Sequence, residues 1–140
     1  MRTAASAPQP AARPFVSIAM PALNEERYIA DAIGSIVPRT DAFDWELLVL
    51  DGGSTDRTRS VVEGLARRDP RIHLLSNERR IQAAAVNLAA RRADPRAGIL
   101  VRADCHAAYP DRFVETCVER LVELGSASVV VPLSPPAFST

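Results

Sequence analysis

The 140-residue chain sets 17 Lys and Arg against 17 Asp and Glu, a balance that favours neither nucleic acid nor an anionic membrane as partner. With 47% hydrophobic and 24% charged residues it has the make-up of one globular domain able to bury a core. No apolar run approaches the ~20 residues that cross a bilayer. The two cysteines, Cys105 and Cys117, form no CxxC pair and fit free thiols in a reducing compartment.

In chain order, residues 1–14 are rich in Ala and Pro, carry only Arg2 and Arg13 as charges and lack the apolar stretch of a secretory signal. They are expected to form a disordered tail. Phe15-Val16-Ser17-Ile18-Ala19-Met20 reads as a first buried strand, ended by Pro21, which cannot donate a ladder hydrogen bond. Asn24 is the candidate N-cap of the next helix, and Glu25 and Glu26 suit its positive end. Ile29, Ala32, Ile33, Ile36 and Val37 supply the apolar stripe, and Pro38 closes it.

Trp45 leads into a second strand, where Leu47-Leu48-Val49-Leu50 runs straight into Asp51-Gly52-Gly53. Ser54, Thr55 and Asp56 are N-cap candidates for a second helix with Val61, Val62, Leu65 and Ala66 inward, stopped at Asp69-Pro70. Ile72-His73-Leu74-Leu75 predicts a third strand; His73 has no acidic neighbour in sequence and reads as structural. A third helix should bury Ile81, Ala84, Ala85, Leu88 and Ala89. Gly98-Ile99-Leu100-Val101 predicts a fourth strand, and a helix from about Asp111 to Leu124 turns Phe113, Val114, Cys117, Val118 and Leu121 inward. Ser128-Val129-Val130-Val131 would be a fifth strand. Strands alternating with helices predict an α/β fold, a mostly parallel sheet with helices on both faces.

In such a sheet the ends of the first, second and fourth strands share the carboxyl edge, where open α/β sheets bind ligands. That edge gathers Pro21, Ala22, Asn24 and Glu25, then Asp51, then Arg102, Asp104 and His106. Asp51 before two glycines is either a turn residue or a ligand-facing carboxylate that accepts from an imide or ribose group. Asp104 can hold a hard divalent cation through oxygen. Neither GxxxxGK[ST] nor GxGxxG occurs, so phosphates would not be cradled by a glycine-rich loop. Cys105 has no basic partner in sequence and reads as packing.

Three segments together carry a family resemblance: Pro21-Ala22-Leu23-Asn24-Glu25-Glu26, Asp51-Gly52-Gly53-Ser54-Thr55-Asp56-Arg57-Thr58, and Asp104 at a strand end. They resemble family 2 glycosyltransferases of the GT-A fold over residues 15–133. The segment from Asn77 to Asn87 and Arg102-Ala103-Asp104-Cys105-His106 further resemble the succinoglycan-type exopolysaccharide branch. The resemblance implies binding of a nucleoside-diphosphate sugar, a UDP-sugar in particular, for transfer to an acceptor hydroxyl in cell-surface polysaccharide synthesis. It implies that Pro21, Ala22, Asn24, Glu25 and Asp51 line the nucleoside pocket. Asp104 would bind Mn2+ or Mg2+, with His106 as a further ligand or a phosphate contact.

Arg102 stands where the family's DxD motif has its first Asp, leaving one carboxylate fewer for the metal. It either contacts a diphosphate oxygen or pairs with Glu25 or Asp104. The acceptor, carbohydrate or lipid-linked, and the general base belong in the family to a later half that nothing here resembles. No catalytic residue is therefore assigned within this chain. Residues 15–133 read as an incomplete domain, 134–140 as a disordered end, and the location as cytoplasmic, at most along the inner face of the membrane. A truncated, catalytically silent nucleotide-binding fragment is the alternative.

Overall fold

The computed structural model describes residues 13–125. Four strands alternate with four helices: β1 (Phe15–Ala22), α1 (Ile29–Ile36), β2 (Asp44–Asp51), α2 (Thr58–Arg68), β3 (Ile72–Ser76), α3 (Gln82–Arg92), β4 (Ile99–Arg102) and α4 (Phe113–Leu124). The sheet is parallel in order β3-β2-β1-β4. From β1 the chain winds outward to β3, then returns to place β4 on the other side of β1. The order therefore reverses between β1 and β4, and a crevice opens outside the carboxyl ends at that point.

Two apolar layers sandwich the sheet, sorted by the strand period of two. Val16, Ile18 and Met20 of β1 and Leu47 and Val49 of β2 share one cluster with Ile29 and Ile33 of α1, Val62 of α2, and Val114 and Val118 of α4. Ala19, Leu48 and Leu50 face the other way, onto Ala85 and Ala89 of α3, whose small side chains let that helix lie close to the sheet. Each fully buried Ile, Leu or Val contributes roughly 1.5–3 kcal/mol by leaving water, so β1 and β2 form the rigid base of the crevice.

Several expectations are corrected. Pro21 does not end β1 but lies inside it, opposite Leu50. The carbonyls of Phe15 and Ala19 accept from Gly98 and Ala103, so the odd-numbered backbone groups of β1 face β4. By that alternation the missing N–H of Pro21 falls on the β4 side, beyond Arg102, which ends β4 opposite Ala19. Asn24 is not the cap of α1, whose N-cap position is Tyr28; instead, the Glu25 carbonyl accepts from Tyr28 and Ile29 in the preceding turn.

Ile81 stands outside α3, in extended backbone, and is 60% exposed. Glu115, not expected inward, is buried on α4 beside Val114. His73 does face an acid: its Nε2 lies 3.9 Å from Glu46 Oε2, on the neighbouring strand. The buried Glu46 also accepts from Ser17 Oγ and the Asp94 N–H, each at 2.7 Å, and so ties β1, β2 and the loop before β4 together. The expected fifth strand and both terminal segments lie outside the described residues, except Arg13 and Pro14.

Candidate functional site

β2 delivers Asp51 to the carboxyl edge, and its carboxylate turns back into the loop that follows. Oδ2 accepts from the N–H groups of Gly53 and Ser54, each at 3.1 Å, and from Arg59 Nη1 at 3.0 Å. Oδ1 accepts from the Ser54 hydroxyl. Burial pushes the Asp51 carboxyl up, but the hydrogen bonds from Ser54, Arg59 and Gly53 outweigh it and hold the group below the usual carboxylate range. Gly53 makes this turn at φ +98, a region that glycine enters without strain. Asp56 is not the cap of α2, whose N-cap position is Arg57 with no side-chain cap bond; its Oδ1 accepts from the Thr58 N–H at 2.9 Å in the turn that leads into the helix.

The segment after β1 is laced to this loop. Asn24 sits at φ +51, a left-handed conformation that Asn tolerates. Its Oδ1 accepts from the Thr55 N–H at 2.8 Å, and its own N–H donates to Ser54 Oγ at 2.9 Å. The Glu25 N–H donates to Thr58 Oγ1 at 2.7 Å, and the Arg57 N–H to Glu26 Oε2 at 3.2 Å. These contacts bridge about thirty residues of sequence and fix the two strand ends as one wall.

Past β4, the Asp104 carboxylate is exposed and its Oδ1 accepts the His106 N–H at 2.8 Å. Tyr109, buried, clasps this turn: its hydroxyl accepts the Asp104 N–H and donates to the Asp104 carbonyl. Its own N–H donates to Ser35 Oγ on α1 at 3.0 Å. His106 Nδ1 lies 2.9 Å from Glu25 Oε2, closing the gap between β1 and β4. Burial raises the Glu25 carboxyl above its ordinary value, His106 draws it down less, and Asp104 and Asp56 push it further up. Arg102 pairs with neither expected acid; its Nη2 donates to Gln82 Oε1 at 2.7 Å, at the start of α3.

A cavity of about 910 Å³ lies at this edge, and Pro21, Ala22, Glu25, Gly52, Arg102, Asp104 and His106 are in its lining. Six of the sequence-predicted site residues are thus brought to one space, with Gly52 added. Asn24 and Asp51 are not in the lining: the Asp51 carboxylate and the Asn24 amide oxygen turn into the loop between β2 and α2. Sequence reasoning missed Arg59 and Tyr109, whose partners lie 8 and 5 residues away without periodicity to mark them; a Tyr shortly after the metal-type Asp is the one local signal. Arg80 also lines the cavity, at φ +60, with its guanidinium in the space that a side chain on Gly53 would enter.

Glu25 and Asp104 offer carboxylate oxygens and His106 an imidazole, all in the cavity lining, donor types that suit Mn2+ and, through the oxygens, Mg2+. Among the described residues the close cluster of ligand atoms is that of Glu25, Cys105 and His106, and Asp104 lies outside it.

The profile described as Glycosyl transferase family 2 matches residues 17–135, and the chain belongs to that family. It is 40% identical over 123 residues to the succinoglycan biosynthesis protein ExoA of Rhizobium meliloti, covering 88% of this chain and 37% of that protein. The mannosyltransferase PcManGT from Pyrobaculum calidifontis, solved with GDP-Man and Mn2+, superposes with a TM-score of 0.66 at 35% identity, over 82% of this chain and 34% of that one. Glucosyl-3-phosphoglycerate synthase from Mycobacterium tuberculosis, solved with Mn2+, UDP and glucosyl-3-phosphoglycerate, gives 0.59 at 32% identity, over 79% and 40%. The fold is that of the GT-A glycosyltransferases, and the chain spans little more than a third of these relatives. No helix among the described residues is long and apolar enough to cross a membrane.

Proposed function

We propose that this chain binds the nucleoside diphosphate of an activated sugar, a UDP-sugar, in the crevice between β1 and β4. The observation that carries the reading is the single cavity wall made by Pro21, Ala22 and Gly52 on one side and Arg102, Asp104 and His106 on the other. The nucleoside lies against Pro21, Ala22 and the bare backbone of Gly52. Asn24 and Asp51 act as positioning residues that hold that wall, and Arg102 faces the diphosphate from its anchor on Gln82. Glu25, Asp104 and His106 hold Mn2+ or Mg2+, which neutralises the charge of the departing diphosphate. The sugar passes to an acceptor hydroxyl during cell-surface polysaccharide synthesis, at the cytoplasmic side where nucleotide sugars are made.

Support for the polysaccharide setting comes from the likeness to ExoA. A lipid-linked acceptor is suggested by a 48% identical stretch of 64 residues, 46% of this chain and 24% of the relative, in the Escherichia coli UDP-Glc:alpha-D-GlcNAc-diphosphoundecaprenol beta-1,3-glucosyltransferase WfgD. Calorimetry with UDP and Mn2+, and with GDP in competition, tests the donor. UDP should bind with Mn2+ present, GDP should compete poorly, and Asp104→Ala should weaken the complex at least about tenfold, or 1.4 kcal/mol. Binding that ignores both Mn2+ and Asp104→Ala would sink the assignment. Because the chain covers 37% of ExoA, donor binding without transfer is the second reading. A donor-hydrolysis assay separates the two, since turnover rejects it.

A further inference from the structure

Cys105 is a side chain that the donor reading leaves unused, and its surroundings are not those of packing alone. It is buried at the crevice floor, between Asp104 and His106, and lines the same cavity. One ligand atom from each of Glu25, Cys105 and His106 falls within 4.8 Å of the other two. An ion bound tetrahedrally at about 2.0–2.3 Å spaces its donors by roughly 3.5 Å. The widest separation therefore has to close by about 1 Å. Half of the His106 side chain is exposed, so its ring has solvent space to adjust.

We propose that Glu25, Cys105 and His106 form a binding site for Zn2+, distinct in its sulfur ligand from the hard-cation site of the donor complex. Thiolate, imidazole and carboxylate are the usual zinc ligands, and three protein ligands leave a fourth position open. A thiol is a poor partner for Mn2+ or Mg2+ and a good one for Zn2+, so this cysteine discriminates between the ions. On binding, the Cys105 S–H bond breaks, the S–Zn bond forms and the proton leaves to water, with no change of oxidation state. Unliganded, the thiol is inert, pushed up to about 12 by burial and then by the Glu25 and Asp104 charges; a coordinated thiol is deprotonated outright. Zinc here takes Glu25 and His106 away from the donor's cation and acts as an inhibitor of metal-dependent nucleotide binding. The site itself requires only these three side chains and stands apart from the identity of the donor.

Co2+ serves as the spectroscopic probe on the full chain without a histidine tag. One equivalent should give a thiolate-to-cobalt charge-transfer band that Zn2+ bleaches and excess Mn2+ does not. The band should vanish in Cys105→Ser and survive in Cys117→Ser and His73→Ala, the remaining Cys and His. By calorimetry, Zn2+ affinity should fall at least about tenfold in Cys105→Ser and in His106→Ala, whereas Mn2+ affinity in Cys105→Ser should not change. No band in the unaltered chain, or a band that persists in Cys105→Ser, overturns the proposal. Should Cys105→Ser fail to fold by circular dichroism, the unaltered chain, Glu25→Gln and His106→Ala decide the matter: the band must be present in the first and weakened in both variants. Loss of UDP binding with zinc binding intact would count against the donor reading alone.

Discussion

The Asp51 carboxylate and the Arg59 guanidinium meet at 3.0 Å across the first turn of α2, with the Asp51 side chain fully buried and that of Arg59 40% exposed. Arg59 also reaches Ser76 Oγ at 3.3 Å, so one guanidinium joins the ends of β2 and β3. A carboxylate that accepts this many donors has no oxygen left for a ligand. Its work is to shape the turn that puts Gly52 against the cavity.

Asp51→Asn should therefore cost stability more than nucleotide affinity per se. Unfolded, the carboxyl titrates near 3.9; folded, it is held lower. A group depressed on folding stabilises the native state above its unfolded value and loses that contribution as pH falls through the folded one. Urea melts at neutral pH should show a loss of about 2–3 kcal/mol in Asp51→Asn, the scale of charge-assisted hydrogen bonds. The gap between variant and parent should shrink below about pH 4. Equal midpoints at pH 7 would refute the role.

The two glycines of the same turn should behave differently. A methyl group on Gly53 meets the Arg80 guanidinium at 3.3 Å on a backbone already at φ +98. Gly53→Ala should cost about 1–2 kcal/mol in thermal or urea melts. On Gly52 the nearest atoms lie at 3.6–3.8 Å, ordinary contact, so Gly52→Ala should fold with near-normal stability. Its methyl would sit among Ala22, Leu23 and Arg80 of the cavity lining, the wall proposed for the nucleoside, and UDP binding should weaken several-fold. The opposite ordering of the two stabilities would contradict the geometry.

Tyr109 holds the Asp104 turn and is expected to act through it on the proposed cation site. Tyr109→Phe keeps the ring contact with Phe113, whose centroid lies 4.8 Å away, and removes only the hydroxyl that clasps the Asp104 turn. The expected loss is about 1 kcal/mol of stability. Mn2+-dependent UDP binding should fall while any Mn2+-independent component is kept. A uniform fall in both would mean that the residue serves the fold alone.

The order of elements was legible because apolar periodicity carries it: Ile29, Ala32, Ile33 and Ile36 mark α1, and the run into Asp51 marks β2. The co-location of Glu25, Asp104 and His106 followed from parallel topology and needed no contact to be seen in advance. Polar pairing over long separations was not legible. Nothing in the sequence near Asn24 says that its side chain turns to Thr55, 31 residues on, instead of capping α1. The same holds for Ser17 with Glu46, 29 residues apart, and for the Glu46 carboxylate that approaches His73. Arg102 is expected from the sequence to meet a diphosphate oxygen, Glu25 or Asp104, whereas the side chain it meets is Gln82 at the start of α3, 20 residues earlier.

Two strand ends, at Ala22 with Gly52 and at Asp104, are proposed to form one metal-dependent nucleotide site. Amide NMR spectra of the isotopically labelled chain test it most directly, with UDP and diamagnetic Mg2+ added first and Mn2+ second. UDP should shift the signals of Ala22 and Gly52, and Mn2+ should then broaden Glu25, Asp104 and His106 selectively through its paramagnetism. Broadening centred elsewhere, or UDP shifts confined to residues outside the crevice between β1 and β4, would contradict the account.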